Sequence, residues 1–277
     1  IKKTISTNEN IRPLGEQIKK GEIALKKGAK LTPAAIGYLS SLGITEISVS
    51  KKPTIAIVVT GDELVEAGKP LPYGTIYESN SGMLLSALNS LGFTTVSLHK
   101  IEDDYPSTLS KLNRVINDHD MVIITGGISV GDYDFVGKAL IELGVEELFY
   151  KVKQKPGKPL FFGKKNNSLV FALPGNPAAA LSCFYIYVNA ALQKMAGDLH
   201  YSLIHTKAKS TSDFIKKGDR AQFLKAFFKN GTVTILEGQS SAMLHTFALA
   251  NALVYVPETV DEININDDVE VIILPIN

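Results

Sequence analysis

The sequence predicts an α/β protein in which a doubly wound, mostly parallel sheet is followed by a small all-β domain. Three observations carry this reading. The runs Thr54-Ile55-Ala56-Ile57-Val58-Val59 and Met121-Val122-Ile123-Ile124 are continuously apolar and β-branched, as strands covered on both faces are. Helical segments of about ten residues separate such runs, the spacing that parallel crossovers require. Beyond Gly197 the apolar runs shorten and no long helix intervenes.

Taken in order, residues 1–51 are short, Gly- and Lys-punctuated pieces. They hold one predicted helix over 33–42, with Thr32 as N-cap, Pro33 at the first helical position and Gly43 as the stop. The first strand covers 54–59. A helix over 81–91, closed by Gly92, leads to a second strand over 94–98, and an amphipathic helix over 107–117 leads to a third over 121–124. A helix over 135–143, stopped by Gly144, precedes a strand over 169–173, which runs into a long helix over 178–195. Short strands are then expected at 205–208, 221–228, 232–236, 253–256 and 269–274. The organisation is a remnant of N-terminal or linker domains over 1–51, an α/β domain over 52–200 and a β-barrel-like domain over 201–277.

The bulk numbers narrow the function classes. The 277 residues are 45% hydrophobic, and 29 basic against 28 acidic residues leave a net charge of +1. That balance offers no polybasic surface for nucleic acid. The single cysteine, Cys183, lies in an apolar run and reads as a core residue in a reducing compartment. No apolar stretch reaches the roughly 20 residues a membrane span needs, and the start lacks a signal-peptide core, so the reading is a soluble, cytoplasmic protein without a membrane partner. The chain starts at Ile1 rather than Met, and a longer parent chain is the expectation. P-loop and nucleophile-elbow patterns are absent, and His99, His119, His200, His205 and His245 show no metal-ligand spacing.

In open parallel sheets, ligands bind at the carboxyl ends of strands. Three turns occupy such ends here. Thr60-Gly61-Asp62-Glu63-Leu64 follows the first strand, Thr125-Gly126-Gly127-Ile128-Ser129-Val130-Gly131-Asp132-Tyr133-Asp134 the third, and Leu173-Pro174-Gly175-Asn176-Pro177 the later one. Gly126 and Gly127 let backbone N–H groups approach an anion, and Ser129 adds a hydroxyl. Gly175 and Asn176 suit a tight turn, and Pro177 starts a helix whose N-terminus favours negative charge. Glu63, Asp103 and Asp134 are a carboxylate set suited to Mg²⁺ with phosphate oxygens. Lys151, Lys155 and Lys158 are suited to neutralising phosphate or another oxyanion. Each feature also has a plain reading as a strand exit, a helix cap at Asp103-Asp104 or a solvated lysine. It is their order, each at a strand exit, that points to one site.

That order resembles the MoeA family and the gephyrin E domain. The resemblance runs through Asn10-Ile11-Arg12-Pro13-Leu14-Gly15-Glu16, Leu31-Thr32-Pro33, Ser41-Leu42-Gly43-Ile44, the Thr60 turn and Ile76-Tyr77-Glu78-Ser79-Asn80. It continues through Asp103-Asp104, the Thr125 turn, Lys155-Pro156-Gly157-Lys158-Pro159 and the Leu173 turn, and so covers essentially the whole chain. It implies a molybdopterin-binding-like sheet and a late step of molybdenum cofactor biosynthesis. In that step molybdate enters adenylated molybdopterin, and AMP leaves in a Mg²⁺-dependent reaction. By matching motifs, Glu63, Asp103 and Asp134 stand for the acidic and metal-binding residues, and Lys151 and Lys155 for the cationic pair. Pro174 and Pro177 stand for the prolines that shape the pocket, and Ser241 for a contribution from the β domain. The resemblance also implies a homodimer, a molybdopterin adenylyltransferase and molybdoenzymes as partners, and a further segment upstream. Two departures stand out: Gln17 replaces the family's Asp, and Lys225 replaces its Arg, losing a carboxylate and a bidentate fork respectively. They keep a non-catalytic molybdopterin-binding or scaffold paralogue in view as the alternative, beside an adenylyltransferase-like enzyme.

Overall fold

A computed structural model describes residue 4 and residues 6–102, 104–128 and 135–276. The chain forms two compact units, residues 1–50 with 197–199 and residues 51–196 with 200–277. In the first, helix α1 (Pro33–Ser41) is built as its sequence predicts. Thr32 Oγ1 accepts from Ala35 N at 3.2 Å, and Gly43 ends the helix at φ 74°. Gln17 Nε2 donates to Ser41 Oγ at 3.3 Å.

The second unit opens with β1 (Ile55–Thr60), every residue of which is buried. Two short strands, β2 (Leu64–Val65) and β3 (Ile76–Tyr77), pair with each other before α2 (Asn80–Ser90). The chain continues through β4 (Val96–Ile101), α3 (Tyr105–Asp118), β5 (Met121–Thr125), α4 (Phe135–Glu142), β6 (Glu146–Tyr150), β7 (Gln154–Lys155), β8 (Phe161–Lys165) and β9 (Ser168–Leu173). The six-stranded sheet has the order β4-β1-β5-β9-β8-β6. Its first four strands are parallel, whereas β8 and β6 are antiparallel to what precedes them. Alternate residues of β1 feed opposite cores. Ile55, Ile57 and Val59 pack with Leu84, Leu88, Ala180 and Phe184, while Ala56 and Val58 pack with Leu112, Val115, Ala139 and Leu140. Helices therefore cover both faces, and the doubly wound expectation holds.

From β1 the chain crosses to β4 on one side and then returns to β5 on the other. This reversal opens a crevice at the carboxyl ends of β1 and β5, the place where such sheets bind ligands.

The long helix expected over 178–195 is α5 (Pro177–Cys183), a π-helical turn (Phe184–Val188) and α6 (Asn189–Met195) in continuous succession. After it come β10 (Ile204–Ser210), β11 (Phe214–Ile215), β12 (Ala221–Lys229), β13 (Thr232–Ile235), α7 (His245–Leu249), β14 (Ala252–Val256), β15 (Glu262–Ile263) and β16 (Asp268–Ile273). Strands β13-β10-β16-β14-β12 pair in sequence, and β12 pairs back with β13, closing a small barrel around Leu224, Val233, Val254 and Val271. Closure removes the free edges that an open sheet of this size leaves. β7 adds to β12 in parallel, and Arg220 donates to Gln154 O at 3.3 Å, so the segment after β6 is stitched to the barrel.

Candidate active-site cleft

The turn after β5 is shaped by contact with β1. Gly126 and Gly127 have φ of 90° and 62°. A Cβ on Gly126 would lie 2.5 Å from Thr60 O, and one on Gly127 2.6 Å from Val136 Cγ2 and 2.8 Å from Thr60 Oγ1. Both backbone angle and space demand glycine there. The turn after β9 stacks on the first: a Cβ on Gly175 would be 3.7 Å from Gly126 Cα.

Asn80, the first residue of α2, fastens two of the three exits. Its Nδ2 donates to Thr125 Oγ1 at 2.7 Å and to Gly175 O at 2.8 Å. A carbonyl only accepts, so the amide nitrogen must face Gly175. Among the described residues, Asn80 Oδ1 and Thr60 Oγ1 are buried without a hydrogen-bond partner. Native proteins rarely leave such groups unsatisfied, and those they do leave concentrate where function or strain requires them. The 76–80 segment entered the sequence reading only through the family resemblance; Asn80 itself emerges as a site residue from its bonds to two strand exits.

These segments enclose a cleft of about 420 Å³. Of the residues predicted from sequence, Thr60, Glu63, Gly126, Gly127, Pro174, Gly175, Asn176 and Pro177 line it. Gly61 and Asp62 belong to the same turn without lining it. Gly61, at φ 139°, lies under the Glu63 carboxylate, whose Oε2 would be 2.8 Å from a Cβ there. Asp103, Ser129, Gly131 and Asp134 fall outside the described residues.

The lysines are distributed differently from the expectation. Lys151 and Lys158 line a second hollow of about 490 Å³ with Val152, Lys153, Asp219 and Arg220, and Lys155 lines neither. Backbone pairing explains this. Lys151 N donates to Leu160 O and Val152 N to Lys158 O, which turns the segment toward the barrel. Lys153, paired with Glu258 at 3.1 Å and Asp219 at 3.4 Å, is held above the ordinary lysine pKa by those carboxylates.

Lys225 is likewise not a cleft residue. Only 4% exposed, it donates from Nζ to Gly238 O (2.7 Å), Met243 O (3.0 Å) and Ser240 O (3.2 Å), and burial lowers its pKa. The ammonium thus organises the 238–243 turn. That turn reaches the cleft mouth: Asn176 Nδ2 donates to Ser241 Oγ at 3.2 Å, and Ala178 N to Ser241 O at 3.1 Å. The Ala178 N–H, which a helix start could offer to an anion, is therefore already taken by the barrel.

A Mg²⁺ ion draws most of its oxygens from ligand phosphates and water and needs one or two carboxylates. Glu63 and Glu78 are the described carboxylates of the cleft. Glu78 accepts from Ser81 N at 2.8 Å and from Ser81 Oγ, which leaves Glu63 the more available ligand. Among the described residues no group of three or more His, Cys, Asp or Glu is placed to hold a metal. The residues present fit an ion shared with a phosphate rather than a protein-caged one.

A doubly wound sheet with a glycine-lined crevice at its reversal point, backed by a closed barrel, defines a ligand-binding α/β protein. Residues 56–194 match the family described as probable molybdopterin binding domain, residues 207–274 the MoeA C-terminal region (domain IV) and residues 1–43 the MoeA N-terminal region (domains I and II). The chain belongs to the molybdopterin-binding-domain family, in its MoeA form. A molybdopterin molybdenumtransferase of Haemophilus influenzae is 35% identical over 253 residues, covering 89% of this chain and 62% of that protein. One from Staphylococcus aureus is 34% identical over 262 residues, covering 93% and 62%. The molybdopterin biosynthesis MoeA protein from Pyrococcus horikosii superposes with a TM-score of 0.79 at 30% identity, covering 94% of this chain and 64% of that one. The chain thus spans 62% of the length of these curated relatives. No helix among the described residues is long and apolar enough to cross a membrane.

Proposed function

We propose that this chain serves molybdenum cofactor biosynthesis as a molybdopterin molybdenumtransferase, inserting molybdate into adenylated molybdopterin with release of AMP. The observation that carries the reading is the joining of the Thr60, Thr125 and Leu173 exits into one cleft, in a chain whose relatives bear that name. The glycine pair brings backbone close to a bound anion, and Thr60 and Asn80 contribute polar atoms beside it. Pro174 and Pro177 stiffen the turn after β9, which favours a preformed pocket. Glu63 with the phosphates and, by family resemblance, Asp103 and Asp134 would hold Mg²⁺, which would neutralise charge at the scissile phosphate. Lys151 and Lys158 contribute positive potential from the second hollow, and Lys155, between them in the chain, adds to it. As in the family it resembles, the working form is a homodimer in the cytoplasm, supplied by an adenylyltransferase and delivering to molybdoenzymes.

Molybdate-dependent AMP release from adenylated molybdopterin, assayed with and without Mg²⁺ and with Asp103→Asn as control, tests this. Release that the substitution abolishes supports the transferase. A second reading, a binding paralogue without turnover, is favoured by Lys225 and Gln17, both of which spend their donors on their own chain. Tight ligand binding without AMP release would select it.

A further inference from the structure

Gln154 is only 2% exposed and bonds to three separate parts of the chain. Its backbone joins β12 beside Ala221, and its carbonyl accepts from Arg220 Nη1 at 3.3 Å. Its side chain reaches the long helix and the turn that follows β7. Nε2 donates to Pro156 O at 3.1 Å and lies 3.7 Å from Cys183 Sγ, while Oε1 accepts from the Tyr187 hydroxyl. A carbonyl only accepts, so the amide nitrogen must face Pro156 and the amide oxygen takes the phenol hydrogen. Burial foremost pushes the Tyr187 phenol up to about 12, so that hydrogen stays in place.

Tyr187 belongs to the π-helical turn Phe184–Val188. Such turns are rare and collect at functional sites. The turn that Gln154 braces is seated on the same helix: Gly157 has φ of 89°, and a Cβ there would lie 2.3 Å from Cys183 Sγ. Beyond Gly157, Lys158 lines the second hollow and Pro159 the cleft, so this turn borders both. Lys158 O accepts from Val152 N at 3.0 Å and from Leu160 N at 2.9 Å, which fixes its far side. Gln154 lines neither hollow. A buried polar network whose members are all bonded rigidifies the segments it joins.

We propose that Gln154, oriented by Tyr187, is a positioning residue: it holds the 156–159 turn in the setting from which Lys158 and Pro159 meet the anionic substrate, and so governs substrate affinity rather than the chemical step. The inference rests on the molybdenumtransferase reading, which makes that substrate adenylated molybdopterin. A turn braced from behind loses less freedom when the ligand arrives, and that saving appears as tighter binding.

The test compares the full chain with Gln154→Met, which fills similar space without the amide, and Tyr187→Phe, which deletes one oxygen. Kd for adenylated molybdopterin is read by pterin fluorescence, and KM and kcat from molybdate-dependent AMP release. Kd and KM raised about fivefold in each variant, with kcat within about twofold of the parent's, are expected from the loss of one or two hydrogen bonds. The double variant binds no more weakly than Gln154→Met, because Tyr187 acts through Gln154. A role confined to stability shrinks the active fraction and lowers apparent kcat, leaving KM and Kd unmoved. Val271→Ala, which loosens the barrel core, is the control: a lower melting temperature with the parent's Kd. If Gln154→Met fails to fold, Tyr187→Phe decides alone. A Kd equal to the parent's in the folded variants overturns the positioning role even where AMP is released. A parent that binds without releasing AMP refutes the transferase reading alone, since the Kd comparison stands. No binding by the parent overturns both.

Discussion

Asn80 donates to Gly175 O across 2.8 Å, and this one buried amide ties the start of α2 to the turn that opens α5, with Thr125 held by the same nitrogen at 2.7 Å. The cleft is therefore a property of three chain segments fixed to one another rather than of any one loop. Asn80→Ala removes both bonds and leaves Gly175 O without its donor, so a loss of about 2 kcal/mol or more is expected from urea unfolding. Ligand affinity should fall in the same variant because the turns separate.

Thr60 presents the reverse case. Its Oγ1 is buried without a partner among the described residues. Thr60→Val keeps the shape and removes an unmet hydrogen-bonding group, so stability should hold or rise by up to about 1 kcal/mol. If the hydroxyl serves the ligand, AMP release falls while the unfolding midpoint does not. A variant that is both less stable and fully active would contradict this account of the cleft.

The glycine turn admits no side chain. Gly126→Ala places a Cβ against Thr60 O at φ 90°. The chain must shift where β1 meets β5, and a cost of about 2 kcal/mol or more is expected, together with loss of ligand binding. Gly218→Ala, at φ 89° but in open space, supplies the comparison. Its smaller cost in thermal melts isolates the packing contribution.

Lys225 predicts a stability effect rather than a purely catalytic one. Lys225→Met strips the donor from three carbonyls of the 238–243 turn. A destabilisation of about 3 kcal/mol is expected. Local loosening should show as faster amide exchange over residues 236–246, and Ser241 should lose its register with Asn176.

Acid stability has two assignable contributions. Hydrogen bonds from Thr54, the backbone one foremost, hold Asp120 below the ordinary carboxylate value. Its stabilisation is present above the unfolded-state pKa and is lost as pH falls through the lower folded value. His99 is also depressed, so the folded chain binds fewer protons than the unfolded one just below the ordinary histidine value, and stability declines as pH falls through that window. His99→Gln should flatten the decline in unfolding midpoint between about pH 7 and 5, and Asp120→Asn the decline below about pH 4. An unchanged acid limb in both variants would refute these assignments.

Much of this molecule was legible in the sequence because burial writes itself into residue type. Continuous apolar runs marked β1, β5 and β9, and glycines marked the ends of α1, α2 and α4. Strands β6 and β8 escaped notice: Glu146-Glu147 and Lys164-Lys165 give them the composition of loops, and their pairing is antiparallel at a sheet border. The π-helical turn inside the long helix left no signal either, since its residues Phe184–Val188 are ordinary core types.

The glycine-rich turns could be placed at strand ends from sequence, because a strand exit near a ligand needs glycine's freedom and leaves it as a visible mark. Which side chains share a space could not be placed. Charge groups Lys151 and Lys158 with the cleft, yet the backbone bonds from Lys151 N to Leu160 O and from Val152 N to Lys158 O carry both lysines to another hollow. Lys225 looked like a ligand contact and is the internal anchor of a turn. His99 and His119 had no spacing to connect them until β4 and α3 packed together. Local chemistry fixes the elements through burial and backbone angle, whereas distances between side chains far apart in the chain are set by packing, and only the tertiary structure decides those.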